Sequence, residues 1–291
     1  MADNTPSIDA SKRELWEAMA QVNLRKKLVS TEVCATTFTI NGADKIHKPY
    51  FTELAAGTYT PGEEFALQDA SSTDDSITVN TKKYCAFYID EVEETQSYYN
   101  TMDEMASSAG YQLADTIDQA VFAQVDNGTE FDDGDIAGTD GSAIVLATSN
   151  VISLFVGMRK KLAQLNVIDA NDFVVVLPPA ATAIINQTST GLGFNFADAA
   201  VNNGKVGRFM GFDIYESNNL TTGTYGGTAN TTYCYGGKRG MIQLIMLADV
   251  RLKIVDIDNK IGKAVQYWTA YGTGVWTRDK SRFLDVKISA A

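Results

Sequence analysis

The sequence is poor in the side chains that carry most hydrolytic and redox chemistry. It has one histidine, His47, and three cysteines, an odd number without the paired spacing of a zinc site. A serine nucleophile usually needs a histidine as its base, and His47 lies two residues before Pro49 in a segment predicted to be extended. These scarcities argue against a catalytic triad, a disulfide framework and a zinc site, and they predict buried free thiols.

Long apolar runs, phosphate-binding loops and an excess of positive charge are also missing. The longest apolar stretches, Val151–Met158 and Phe173–Leu177, are far shorter than the ~20 residues of a membrane-spanning helix, and the residues before Ser11 lack the apolar core of a secretion signal. No glycine-rich nucleotide-binding motif occurs. With 24 basic and 36 acidic side chains the formal charge is −12, which disfavours nonspecific binding to nucleic acid. We therefore expect no membrane span, no cofactor and no catalytic residue.

What is present is the composition of a folded protein with a helical first half and a strand-rich second half. The 291 residues are 45% apolar and 21% charged, which excludes wholesale disorder, and the length favours two packed units or one elaborated domain. Residues 11–29 are predicted to form a helix that begins with a capping box at Ser11–Glu14. Its narrow apolar stripe predicts either an ordinary core helix or an arm that reaches a neighbouring subunit.

A long two-stranded ribbon is predicted next. Residues 76–89 alternate apolar and polar side chains, and their expected partner is the extended stretch Lys45–Leu54. The two segments are joined by a wide tip, Ala55–Asp75, that is rich in small and polar residues. Two strands cannot bury both of their faces, so another part of the protein or another molecule must cover the ribbon.

The longest periodic segment predicts a helix over residues 95–126, about 48 Å long. A helix at about 150–165, a short apolar strand at Phe173–Leu177 and a helix at 179–187 are predicted to follow it. Strand-like segments dominate the last fifty residues. Helices that come early and strands that come late predict an α+β protein.

An acidic loop at 126–141 is the one segment whose side chains offer ligands for a hard cation. Asp132, Asp133 and Asp135 are its weak candidate ligands, but Ala137 and Ile144 stand where an EF-hand needs a ligand and its closing glutamate. A solvated loop is the simpler interpretation, and no pair of carboxylates is singled out for glycoside hydrolysis.

Five segments, in order over about 250 residues, resemble the major capsid protein of tailed bacteriophages with the Hong Kong 97-like fold. Each matches an element of that family: a ribbon strand that runs into a long "spine" helix, the rest of that helix, a strand followed by prolines, a glycine-spaced segment and the turn before the closing strand. In this chain they are Ser76–Gln96, Ala106–Asp126, Asp172–Pro179, Asn203–Leu220 and Gly272–Leu284.

The resemblance implies an architecture and a structural function. It implies an N-terminal arm (1–44), an extended loop (45–89), a peripheral domain with the spine helix (90–140), an axial domain (about 141–250) and return strands to the peripheral domain (251–291). Copies are expected to assemble in the host cytoplasm as pentamers and hexamers of an icosahedral procapsid that expands into the virion shell. The implied partners are other copies and separate scaffolding, portal and decoration proteins, around double-stranded DNA that is enclosed without specific binding.

Two departures from the family bear on the contacts between subunits. The predicted arm begins near Ser11, so a long cleaved scaffolding segment is not expected, and the tip 55–75 has no lysine for a covalent cross-link. Noncovalent contacts are therefore expected from apolar, acidic and arm residues. The candidates are Phe51, Tyr59 and Phe65, then Glu63, Glu64 and Asp69, and on the arm Arg13 and Trp16.

Three alternatives remain open on the sequence alone. An encapsulin-like compartment would share the fold but enclose cargo protein. A glycan-binding or tail protein would share the late strands, although it would not need the long helix or the uncovered ribbon. A carboxylate hydrolase would depend on Asp132 or Asp133.

Overall fold

Two β-sheets, one of four strands and one of eight, organise the chain. The computed structural model describes residues 26, 28–40, 42–62, 64, 67–69, 71–96, 101–167, 172–191, 205–257 and 261–289. The α-helices of this part are α1 (Ser30–Val33), α2 (Glu91–Gln96), α3 (Thr101–Phe122), α4 (Val151–Gln164) and α5 (Pro179–Gly191). Its strands are β1 (Ala35–Thr39), β2 (Lys45–His47), β3 (Tyr50–Phe51), β4 (Ser72–Thr73), β5 (Ser76–Thr78), β6 (Thr81–Asp90), β7 (Thr129–Phe131), β8 (Ile144–Val145), β9 (Phe173–Leu177), β10 (Lys205–Phe209), β11 (Phe212–Glu216), β12 (Thr222–Tyr225), β13 (Thr228–Lys238), β14 (Ile242–Asp256), β15 (Gly262–Gly274) and β16 (Phe283–Ser289).

The four-stranded sheet has the order β1-β14-β15-β6, with one parallel pair, β1–β14. Helix α3 packs across β6, β15 and β14. Its buried side chains include Leu113, Ile117 and Val121, which share one face because residues three or four positions apart lie above one another on a helix. The sheet therefore has one face covered by α3.

The eight-stranded sheet has the order β10-β11-β9-β13-β16-β7, with β12 and β8 attached to β13 and β16. Strand β9 lies between β11 and β13, and all five of its residues are buried. Helix α4 packs on β13 and β16 through buried residues that include Phe155 and Met158. One continuous hydrophobic core extends from the end of α3 through this sheet.

Several predicted elements are confirmed, and their ends are adjusted. Strand Phe173–Leu177 is found as predicted, and the helix predicted at 150–165 is α4. The helix predicted at 95–126 is represented by α3, which ends at Phe122 and is followed by a 3₁₀ turn at Val125–Asn127. Phe122 and Val125 are both fully buried, so the 3₁₀ turn continues the buried face of α3 into the core.

The long strand predicted at 76–89 is wrong as a single ribbon strand. Of residues 76–89, only those of β5 pair with the 45–54 segment, through β2, whereas β6 pairs along its whole length with β15 as the edge of the four-stranded sheet. Alternation of apolar and polar residues predicts a strand, but it does not specify the partner strand.

The unit predicted at 251–291 is divided between the two sheets. Strands β14 and β15 belong to the four-stranded sheet, while β16 lies inside the eight-stranded sheet between β13 and β7. All seven residues of β16 are buried, which requires a position with neighbours on both edges and cover on both faces. Strand β1, predicted as part of the arm 1–44, likewise belongs to the four-stranded sheet.

An ion cluster lies beside β16, with Lys287 and Asp285 buried and Asp126 exposed. The Lys287 Nζ atom is 2.5 Å from Asp285 Oδ2 and 2.8 Å from Asp126 Oδ1, and it stands 3.6 Å from the ring centroid of Tyr233. Among the described residues the Asp285 Oδ1 atom has no hydrogen-bond partner. Burial raises the pKa of the Asp285 carboxyl to about 7, although the hydrogen bond and the charge of Lys287 oppose the rise.

This shift predicts a pH dependence of stability. Because the folded pKa lies above the unfolded value, the folded state binds a proton between about pH 4 and 7 that the unfolded state does not bind. The free energy of unfolding should therefore fall as the pH rises through this window, by at most about 1.4 kcal/mol per pH unit from this group.

Asp285→Asn should flatten that slope in urea unfolding of dissociated subunits at pH 5, 6 and 7. Asp256→Asn, an exposed carboxylate on β14, makes the same charge change and should keep the wild-type slope. Equal slopes for Asp285→Asn and the wild type would contradict the assignment.

Candidate functional site: the β-ribbon and its exposed tip

The ribbon, residues 45–78, is anchored at its root to the rest of the subunit. Strand β2 pairs with β5, and β3 pairs with β4, in antiparallel register. Ile77 of β5 packs in a small buried cluster with Ile245 and Trp276. The ribbon thus begins on a fixed base between the four-stranded sheet and the turn after β15.

Arg278 holds the outer end of this root. Its guanidinium donates a hydrogen bond to the Phe51 carbonyl oxygen, lies 5.1 Å from the ring centroid of Tyr50 and comes within 3.6 Å of Glu53 Oε1. On the other strand the Asp75 carboxylate accepts a hydrogen bond of 2.6 Å from the Thr277 amide. The root therefore has a defined direction relative to the body.

The single histidine belongs to this root. The His47 Nδ1 atom is 2.7 Å from Asp74 Oδ2, and both side chains are exposed. The pair forms a surface contact at the root of the ribbon, where Ser76 of β5 stands opposite His47 in the strand register.

Beyond the root, the tip (residues 52–71) has little to support it. The hydrogen bonds that cross the tip include those between Thr52 and Ser71 and those between the side-chain amide of Gln68 and the backbone of Ala55. Large apolar side chains are exposed here, and Leu67 reaches 94%. Exposed apolar side chains grouped on one projection are typical of an interaction surface.

The predicted contact residues of the ribbon lie on this projection where they are described. Phe51 and Tyr59 are exposed, as are Glu64 and Asp69. Glu63, Phe65, Arg13 and Trp16 lie outside the described residues, as does most of the helix predicted at 11–29, and the described residues at its end, 26, 28 and 29, are not helical.

Two exposed residues of the tip, Leu54 and Leu67, were not selected by sequence reasoning. Each lies in a short segment without a sustained strand or helix periodicity. The signal that identifies them is the acidic tip around them, which has no strand pairing. A leucine in such a segment is far from the hydrophobic core of its own chain.

The charge of the tip has a single sign. Residues 49–81 contain six acidic residues and no lysine, arginine or histidine, and four of the six lie in the tip itself. A surface that meets this projection should therefore be basic as well as apolar.

A buried carboxylate fastens the start of the described N-terminal segment to α3. Asp118 Oδ1 accepts hydrogen bonds from the Val29 amide at 3.1 Å, the Ser30 amide at 2.8 Å and the Ser30 hydroxyl at 2.6 Å. Asn219 Nδ2 donates to Asp118 Oδ2 at 2.9 Å, and Lys26 Nζ donates to Asn219 Oδ1 at 3.0 Å. Three parts of the chain, the N-terminal segment, α3 and the segment after β11, meet at this carboxylate.

The three weak cation candidates are engaged inside their own loop. Asp132 accepts hydrogen bonds from two backbone amides and from the Tyr225 hydroxyl, Asp133 accepts one from a backbone amide, and Asp135 pairs with Lys161 at 2.5 Å. In the described part of the chain, no three His, Cys, Asp or Glu side chains are grouped so that they can hold a metal ion. These carboxylates shape the loop through backbone hydrogen bonds.

Neither the search for membrane-spanning helices nor the comparison with curated proteins adds information about function. Within the described ranges, no helix combines the length and the apolar character needed to cross a bilayer. No curated protein matches the sequence.

Solved structures share the fold formed by the ribbon, α3 and the two sheets. The chain is similar to the capsid structure of the cyanophage P-SCSP1u, with a TM-score of 0.73 and 17% identity over 100% of this chain and 97% of that chain. It is similar to a structure of Mycobacterium phage Che8, with a TM-score of 0.71 and 16% identity over 98% and 97%. It is also similar to the mature capsid of bacteriophage PhiM1, with a TM-score of 0.71 and 15% identity over 96% and 93%.

These likenesses establish the fold, and a family model establishes the family. The model described as "Phage capsid protein" matches residues 74–284, which include one strand of the ribbon, α3 and most of both sheets. The chain therefore belongs to the phage capsid protein family, and it has the Hong Kong 97-like fold of the subunits that form the phage head shell.

Proposed function

We propose that many copies of this chain tile a closed icosahedral shell as pentamers and hexamers. In this arrangement α3 and the four-stranded sheet form the peripheral part of each subunit, and the eight-stranded sheet forms the axial part around the symmetry axes. Membership of a capsid family makes the chain a structural component of the virion. We place its assembly in the host cytoplasm and assign it no catalytic role.

The exposed ribbon tip is the observation that carries this proposal. Its large apolar side chains are exposed to solvent in the single chain, and its root is fixed by Arg278 and the Ile77 cluster. A rigidly rooted projection with an apolar, acidic end is suited to lie across an adjacent copy. The N-terminal arm, with Arg13 and Trp16, is proposed to reach a neighbour in the same way.

The contacts between subunits are proposed to be noncovalent. The tip contains no lysine, and a ribbon held by apolar burial and ion pairs can change its contacts when a rounded procapsid expands. The procapsid is proposed to expand during genome packaging. Separate scaffolding, portal and decoration proteins are the proposed partners in assembly. A chain with a net charge of −12 is expected to enclose double-stranded DNA without binding it tightly.

Expression of the chain, alone and with the scaffolding, portal and packaging genes of its phage, tests the proposal by electron microscopy. We expect closed particles of uniform size and, in the complete system, DNA that resists nuclease. Subunits that remain small oligomers under both conditions would contradict the shell function. Closed particles that never contain DNA in the complete system would favour the encapsulin-like alternative.

A further inference from the structure

The ion cluster beside β16 holds one amine against two carboxylates of very different burial. The Lys287 Nζ atom is 2.8 Å from Asp126 Oδ1 and 2.5 Å from Asp285 Oδ2. The Lys287 and Asp285 side chains are 5% and 2% exposed, whereas the Asp126 side chain is 64% exposed. The cluster thus places the two partners of an amide condensation, an amine and a carboxyl group, in direct contact.

Tyrosine rings cover the buried side of the cluster. The register of β13 and β16 places Tyr233 opposite Lys287 and Tyr235 opposite Asp285. The Lys287 Nζ atom is 3.6 Å from the ring centroid of Tyr233 and 5.4 Å from that of Tyr225, and Tyr235 is fully buried. These rings keep bulk water from the amine, so the polar groups of the cluster interact more strongly than they would at an open surface.

The Asp285 carboxyl group can take up and release a proton beside the amine. Its Oδ1 atom is buried and has no hydrogen-bond partner among the described residues. Burial, and to a smaller extent the nearby Asp126 carboxyl, raise the pKa of Asp285 to about 7, although Lys287 opposes the rise. A carboxyl group that titrates near neutral pH is suited to carry protons between two neighbouring atoms.

We propose that Lys287 and Asp126 of the same chain are joined by an amide (isopeptide) bond that forms without an enzyme or a cofactor. Asp126 is assigned as the acyl group because its exposed side gives the released water a path to solvent. Asp285, enclosed beside β13, is assigned as the proton carrier.

The reaction balances with no further reactant. In the ion pair, the hydrogen bond from Lys287 lowers the pKa of Asp126, so the ammonium group first gives a proton to Asp285 Oδ2. The free amine then attacks Asp126 Cγ, and the Nζ–Cγ bond forms. Asp285 passes its proton to one Asp126 oxygen, and a second Nζ proton follows by the same route. The Cγ–O bond breaks, and that oxygen leaves as water.

A bond at this place would join elements of both sheets. Asp126 lies in the 3₁₀ turn that follows α3, the helix that covers the four-stranded sheet, and Lys287 lies on β16 inside the eight-stranded sheet. The two residues are 161 positions apart, and closing so long a loop stabilises a fold chiefly by restricting the unfolded chain. The inference does not depend on the shell function, because both residues belong to one chain.

The intact mass of the denatured wild-type chain tests the proposal. We expect it to be lower than the sequence mass by one water molecule, and proteolysis should release a branched peptide that contains both Asp126 and Lys287. Lys287→Arg keeps the positive charge but removes the amine, and Asp126→Ala removes the acyl group, so both variants should have their full sequence mass. Both should also migrate more slowly than the wild type on a denaturing gel, because an internal link keeps the denatured chain compact.

Lys161→Arg is the matched control. Lys161 and Asp135 are also 2.5 Å apart, but both side chains are 26% exposed, so this variant should still lose one water and the pair should give no branched peptide. Asp285→Asn, which has a similar size but cannot carry the proton, should lower the rate at which the link accumulates by about a hundredfold.

The branched peptide is sought in the wild-type chain, so the test does not depend on how well a variant folds. A folded wild-type chain with its full sequence mass would overturn the proposal, and so would a water loss that persists in Lys287→Arg, since that loss would come from a cyclised aspartate elsewhere. A branched peptide that joins Lys287 to Asp285 would overturn the assignment of Asp126 as the acyl group.

Discussion

Replacement of residues 54–69 by a short glycine–serine turn is expected to abolish closed particles while the subunit remains folded. The segment removed lies beyond the Arg278 contacts and contributes no described residue to either hydrophobic cluster. Leu54, Leu67, Glu64 and Asp69 are exposed in the single chain, and the proposed function places their stabilising contacts on a neighbour. Loss of those contacts at every subunit of a shell should lower particle yield by well over tenfold, because many weak contacts act together.

The measurement is particle yield by sedimentation and electron microscopy, together with the circular dichroism and thermal transition of the dissociated subunit. Leu54→Ser with Leu67→Ser should reproduce a large part of the loss, and Thr58→Ser in the same tip should have no effect. If the shortened chain forms particles at the wild-type yield, the ribbon is not the principal contact between subunits.

Asp118→Ala should lower the free energy of unfolding by about 3–5 kcal/mol. The carboxylate is 1% exposed and accepts hydrogen bonds from two backbone amides, the Ser30 hydroxyl and the Asn219 amide. Alanine leaves these donors without their acceptor inside the protein, and each unsatisfied buried donor costs about 1–3 kcal/mol. The N-terminal segment should detach from α3 first, since α1 has only four residues.

Urea unfolding of dissociated subunits measures the change, and hydrogen exchange of the Val29 and Ser30 amides locates it. Thr116→Ala is the matched control on the same helix, because the Thr116 hydroxyl bonds only to the carbonyl oxygen one turn earlier. We expect that control to change stability by less than about 0.5 kcal/mol. If Asp118→Ala lowers the free energy of unfolding by less than about 1 kcal/mol, water replaces the carboxylate. Asp118 then does not anchor the N-terminal segment to α3.

The elements that sequence reasoning located well are those whose own residues contain the whole signal. Strand Phe173–Leu177 is uniformly apolar and ends at Pro178, and the apolar positions of α3 recur at helical spacing. Helix α4 was also located correctly, yet Ile152 is 41% exposed while Val151 is buried. Both residues are apolar, so their pattern alone leaves the rotation of the helix uncertain by one position.

The candidate site was only partly predictable for a related reason. The acidic, lysine-free tip and the residues Phe51 and Tyr59 follow from composition and from the weakness of a two-stranded ribbon. The groove on the open face of the four-stranded sheet has no sequence signal, because its residues Lys82, Leu247 and Trp268 come from three strands and meet only through pairing. The Arg278 contact likewise joins residues more than two hundred positions apart.

The sequence by itself determined the α+β class, the positions of most helices and strands, the acidic ribbon tip and the resemblance to a capsid subunit. Only the tertiary structure decided that β6 pairs with β15, that β16 lies inside the eight-stranded sheet and that Asp118 joins three distant segments. The physical reason is that periodicity and capping are local properties of the chain. The partner of a strand or of a buried carboxylate is set by which distant surfaces can be buried and hydrogen-bonded together.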